Sequence, residues 1–216
     1  MLDKYYTQAI DDAIESLKND GVIIVPTDTL YGLAALSTSE VAIDRIYKIK
    51  KRSKDKLLPL IVSSYKMLKD VIDIDDSVLE KLKNFFPGPL TIVAKRNENF
   101  NYYNAKTIAV RMIDLPLINK LIDSVGVPLV LTSANISTKD NINDPMELIE
   151  LFDGYIDCMF LDGKMKNSES TIIEITSSND ILLIREGKIS FDKILKEYSN
   201  DWGKKIFWVC KGNFKS

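Results

Sequence analysis

Short apolar runs rich in β-branched residues alternate with amphipathic stretches along most of this chain. Ala9, Ile10, Ala13, Ile14 and Leu17 recur at three- and four-residue spacing, which predicts a helix over 3–19. Asn19-Asp20-Gly21 ends it. Val22 to Val25 then form a run with the length and composition of a strand buried on both faces. Pro26 closes that strand, since it has no amide to donate. Thr27, Asp28, Thr29 and Tyr31 follow at once, so polar side chains crowd the loop after a central strand. Taken alone, that stretch is also compatible with an ordinary strand and a polar turn.

The same reading continues down the chain. After a capping candidate at Ser37 to Ser39, a helix carries Val41, Ile46 and Ile49 inward. Further helices are predicted over 64–72, 76–86, 116–125, 146–152 and 191–198, and strands over 59–62, 90–95, 107–110, 128–131, 156–161, 171–175 and 181–184. Phe86-Pro87-Gly88-Pro89 is a rigid turn, and 97–104 and 137–144 are polar loops. The alternation gives an α/β fold with one large domain.

Composition narrows the chemistry. The 216 residues include no histidine, which excludes a Ser-His-Asp triad, a Cys-His dyad and any His-ligated metal. Two cysteines, Cys158 and Cys210, are too few for a disulfide framework or a zinc site. A net charge of -2 confines any basic surface to a local patch. The dense one is Lys50-Lys51-Arg52-Ser53-Lys54-Asp55-Lys56, a pattern that a solvated helix end also produces. No stretch has the roughly 20 apolar residues of a membrane span, and a reducing cytoplasm is the simplest setting. Five segments carry polar or cationic tips: Thr27 to Tyr31, Lys50 to Lys56, Arg111, Ser133 with Asn135, and Arg185. If they converge, they make an anion site rich in neutral donors and poor in proton-transfer groups. Such a site catalyses by positioning and charge stabilisation, as in phosphoryl and nucleotidyl transfer.

These segments resemble the YrdC/YciO family of threonylcarbamoyl-AMP synthases. PTDTLYGL at 26–33, Lys50-Lys51-Arg52, KDKLLPLIV at 54–62, FFPGPLT at 85–91, TIAVRMIDLP at 107–116, TSANIS at 132–137, ESTIIEIT at 169–176 and IREGKIS at 184–190 match its motifs in uninterrupted order. The resemblance implies a single-domain, open, twisted mixed sheet with helices outside and a large positively charged cleft. It implies a catalytic domain over 1–199, a tail of unassigned role over 200–216, and a short form without the family's extra C-terminal domain. The implied reaction combines L-threonine, bicarbonate and ATP into threonylcarbamoyl-AMP and pyrophosphate, with Mg²⁺ accompanying ATP. A downstream tRNA threonylcarbamoyl transferase is the implied user of the product.

Matching positions carry implied roles. Lys50 and Arg52 hold the ATP phosphates and offset charge on the α-phosphate. Ser133 and Asn135 bond the phosphate and ribose region, with Arg185 and Thr107 also on the nucleotide. Thr27, Arg111 and Ser170 hold threonine, Arg111 on its carboxylate, and Tyr31 shapes that pocket. The sequence departs from the family at Leu115, at Ser63-Ser64, at Glu169 and at Thr138. Two alternatives stay open: an RNA-binding module contacting tRNA through the same cleft, and a YciO-like paralogue of different activity.

Overall fold

The computed structural model describes residues 2–102, 105–137, 140–165 and 168–199. The tail at 200–216, with Cys210, and Thr138 lie outside the described residues. The helices are α1 (Leu2–Lys18), α2 (Glu40–Lys50), α3 (Tyr65–Val71), α4 (Asp76–Leu82), α5 (Pro116–Val125), α6 (Pro145–Phe152) and α7 (Phe191–Ser199). The strands are β1 (Ile23–Pro26), β2 (Tyr31–Leu36), β3 (Leu60–Val62), β4 (Leu90–Lys95), β5 (Thr107–Met112), β6 (Leu129–Ser133), β7 (Cys158–Met159), β8 (Thr171–Ile175) and β9 (Ile181–Arg185).

The strands form one mixed sheet in the order β7-β1-β2-β6-β3-β5-β4-β8-β9. Pairs β7-β1, β3-β5 and β4-β8 are parallel, and the other neighbours run antiparallel. Alternation along each strand divides the core. Ile23, Val25, Ala34 and Ile61 face α1 and α5, whereas Val22, Ile24, Leu33, Leu60 and Val62 face the larger cluster on the other side. Helices therefore cover both faces, which is why the central strands read as continuous apolar runs.

Caps fix the helix ends. Ser39 Oγ accepts the Ala42 amide at 3.0 Å to start α2. Lys51, at φ 50°, closes it by donating its amide to the Lys48 carbonyl. Gly126, at φ 73°, ends α5.

Three elements differ from the sequence reading. Strand β2 is new, because Gly32, Ala34 and Ala35 carry no β-branched signal; it pairs Pro26 with Tyr31 and leaves only Thr27 to Leu30 as loop. Helix α4 stops at Leu82 rather than 86, and Phe86, which precedes Pro87 and so avoids the helical region, lies outside it. Phe85 and Phe86 turn into the core instead. The strand expected over 156–161 shortens to Cys158–Met159 at the sheet edge.

Candidate active site

A cavity of about 360 Å³ opens on the α1 and α5 face of the sheet. Strand alternation builds its floor: Ser133 from β6, Ile61 from β3, Ala109 and Arg111 from β5, Thr91 from β4 and Ile172 from β8 all point the same way. The 27–30 loop closes one side, and Glu169, Ser170 and Arg185 close the other.

The loop after β1 holds itself. Thr27 Oγ1 accepts the amides of Thr29 at 3.1 Å and Leu30 at 3.0 Å, and donates to the Leu30 carbonyl at 2.6 Å. Thr27 lines the cavity, but its hydroxyl is occupied in shaping the turn. Tyr31 behaves alike. The residue borders the cavity, but its buried side chain belongs to the core cluster on the other face of the sheet. Its hydroxyl donates to Gly163 O at 2.7 Å and accepts from Asp162 N at 2.8 Å, and burial raises its pKa.

Arg111 is buried at the end of β5. Its Nε donates to Gly88 O at 3.0 Å, so the Pro-Gly-Pro turn sets the plane of the guanidinium. One terminal nitrogen donates to Thr29 Oγ1 at 3.3 Å and the other pairs with Asp28. Burial lowers its pKa, the Asp28 carboxylate opposes that, and the Arg185 charge adds to it. The action of the Arg185 charge on Arg111 puts the two in one electrostatic neighbourhood.

Arg185 leaves β9 with one nitrogen 3.0 Å from Glu169 Oε2 and another 2.9 Å from Ser170 O. Ser170 Oγ shares a 2.9 Å hydrogen bond with Thr91 Oγ1. Gly187 packs so closely here that a Cβ would sit 2.4 Å from Glu169 O. Arg52 donates to Lys56 O at 3.0 Å and Leu57 O at 3.3 Å, which leaves it without a carboxylate partner among the described residues.

Lys50 lies deeper than the sequence suggests. It is 2% exposed and does not line the cavity. Its ammonium donates to Ser133 O, to Asn135 O at 2.9 Å and to Asn135 Oδ1 at 3.0 Å, while Ser133 Oγ donates to Asn135 Oδ1 at 2.7 Å. Three acceptors match its three donors. Burial, followed by the Arg52 charge, pulls its pKa down to about 7. Lys50 and Asn135 thus brace the turn that presents Ser133, from beneath the cavity wall.

Of the ten residues singled out from sequence, seven line the cavity: Thr27, Tyr31, Arg52, Arg111, Ser133, Ser170 and Arg185. Thr107 stands apart, exposed at the start of β5. It is on the same face as Arg111 but four residues, roughly 13 Å, away along the strand. Sequence reasoning missed Thr91, which lines the cavity, and gave no role to Thr29, another lining residue, or to Asp28, the partner of Arg111. All three sit inside motifs already quoted, Asp28 and Thr29 within 27–31 and Thr91 at the end of FFPGPLT.

Three guanidinium groups from distant segments converge here on neutral hydroxyls, with Glu169 as the lining carboxylate. Guanidinium matches carboxylate and phosphate geometry, so the cavity suits an anionic ligand. Among the described residues, no cluster of His, Cys, Asp and Glu is arranged to hold a metal, and no helix is long and apolar enough to cross a membrane.

Comparison with known proteins bears on this site. The Sua5/YciO/YrdC family model, described as "Telomere recombination", matches residues 15–187. A relative from Methanocaldococcus jannaschii is 35% identical over 184 residues, 84% of this chain and 87% of its own. The threonylcarbamoyl-AMP synthase of Pyrococcus abyssi is 32% identical over 185 residues, and the match covers 83% of this chain but only 54% of that one. The solved structure of P. abyssi Sua5 complexed with L-threonine superposes with a TM-score of 0.79 at 31% identity, covering 87% of this chain and 56% of that one.

Proposed function

The chain belongs to the Sua5/YciO/YrdC family, and from that premise we propose that it is an L-threonylcarbamoyladenylate synthase serving tRNA threonylcarbamoyladenosine formation. The observation that carries the reading is the convergence of Arg52, Arg111 and Arg185 on one cavity beside Ser133, Ser170 and Thr91. L-Threonine, bicarbonate and ATP are the substrates.

Arg111 takes the threonine carboxylate bidentately, in a plane preset by Gly88 O and Thr29. Thr91 and Ser170 offer hydroxyls to the amino-acid side chain. The free amine attacks bicarbonate carbon, water departs, and an N-carboxylate forms. A carboxylate oxygen then attacks the α-phosphorus of ATP, and the bond to the bridging oxygen breaks to release pyrophosphate. Arg52 and Arg185 face the phosphates and offset charge that grows in the transition state. Ser133, braced by Lys50 and Asn135, adds a hydroxyl to the same wall. Mg²⁺ arrives as part of the ATP substrate, held by phosphate oxygens and water. The product passes to a downstream transferase that acts on tRNA.

The test is product analysis after mixing ATP, L-threonine and bicarbonate with the protein. Pyrophosphate release must depend on both co-substrates, and threonylcarbamoyl-AMP must accumulate. Turnover indifferent to threonine sinks the proposal.

A further inference from the structure

On the outer side of α2, a second cavity of about 530 Å³ shares no lining residue with the active cleft. Ile49, Ile136 and Phe152 line it apolarly, and Tyr155 stands at its edge with 62% of its surface exposed. Arg45, Lys48 and Lys51 supply the charge, and no Asp or Glu lines it among the described residues. Arg45 is already paired with Asp157 at 2.9 Å. Lys48 and Lys51 have no ion-pair partner among the described residues.

The backbone here is closed without help from side chains. Lys51 occupies the left-handed C-cap at φ 50°, a position that glycine fills without strain. Amides of Lys51 and Arg52 already cap the Lys48 and Tyr47 carbonyls, so neither ammonium is needed to finish the helix. Both lysines are exposed and line the mouth of this apolar cavity. Two ammonium groups without ion-pair partners match a phosphate, and an exposed tyrosine beside apolar lining residues matches a planar base.

We propose that this outer cavity binds a nucleoside phosphate unit, its phosphate on Lys48 and Lys51 and its base against Tyr155. The unit is either a free nucleotide or one residue of a single-stranded RNA. The site also touches the cleft's scaffold: Ile136 follows Asn135, and Ser137 N donates to Lys50 O at 2.8 Å. An occupant therefore bears on the turn that presents Ser133. This proposal does not rest on the synthase reading, because the two cavities are lined separately.

The experiment titrates the full chain with AMP, inorganic phosphate and pentaadenylate, following the backbone amide resonances of Ile49, Ile136 and Gly154. A Lys48→Ala/Lys51→Gly variant is the control. Both replacements suit their backbone positions, so folding is preserved. AMP is expected to shift these resonances saturably, at least tenfold more weakly in the variant, while cleft resonances respond equally in both proteins. Shifts with pentaadenylate but not AMP assign the unit to RNA, and the reverse assigns it to a free nucleotide. The proposal is overturned if neither probe moves these resonances, if the variant binds as well, or if phosphate alone reproduces the AMP response.

Discussion

Replacing Lys50 with methionine separates the electrostatic cost of its burial from its bracing role. The folded pKa near 7 lies below the unfolded value of 10.5, so the unfolded chain binds more protons between those limits. Stability must then rise with pH across that window, by up to about 1.4 kcal/mol per pH unit for this one group. Integrated, the penalty is about 4 kcal/mol near pH 7 and about 2 kcal/mol near pH 9, so the wild type gains about 2 kcal/mol over that interval from Lys50. Methionine removes the titrating group and leaves the oxygens of Ser133 and Asn135 without their donor, a loss of about 1–3 kcal/mol that does not vary with pH. Urea unfolding of both proteins near pH 7 and pH 9 reads the difference between slopes, which cancels every other titrating group. Equal slopes would refute the reasoning. They would mean that three oxygen acceptors keep the ammonium charged throughout and outweigh desolvation.

Three further outcomes are expected. Gly187→Ala places a Cβ 2.4 Å from Glu169 O and 2.6 Å from Ser170 C, so backbone must shift; denaturant stability should fall by about 2 kcal/mol or more with a raised KM for threonine, and unchanged values would contradict the contact. Asp28→Asn leaves the buried Arg111 charge unpaired, which costs about 3–5 kcal/mol. Because the threonine carboxylate would restore a partner, added threonine should raise the melting temperature of this variant more than that of the wild type; a smaller rise argues against Arg111 as the carboxylate site. Arg52→Ala should slow pyrophosphate release by about a hundredfold or more, as for other lost transition-state donors, yet move the urea midpoint little, since no carboxylate pairs with it.

Much of this architecture could be read from the sequence, because strand and helix periods differ and caps such as Ser39 leave local signals. Strand β2 could not. Gly32 and two alanines give no strand preference, and Gly32 is needed small because a Cβ would press to 3.0 Å on Leu131. Its strand identity comes from pairing with β6, about a hundred residues away. The cationic tips Arg111 and Arg185 were legible as strand ends beside polar residues. Lys50 was assigned to the phosphates, yet geometry turns it toward the β6 turn, since a lysine in a run of lysines carries no sequence mark of which one is buried. The hydroxyl bonds of Thr27 and Tyr31 were likewise invisible: a threonine or tyrosine reads the same whether its oxygen faces a ligand or a backbone.

The strand order carries a consequence for synthesis. The cavity takes one wall from residues near 27, its floor from β6, β3, β5 and β4, and its far wall from β9, so its earliest and latest contributors lie some 158 positions apart. A chain emerging from the ribosome holds the cavity-lining Arg52 long before Arg185 exists. Until β9 emerges and joins β8, ligands meet only a half-built trough and cannot act as a folding template, which leaves the nascent protein dependent on its core alone.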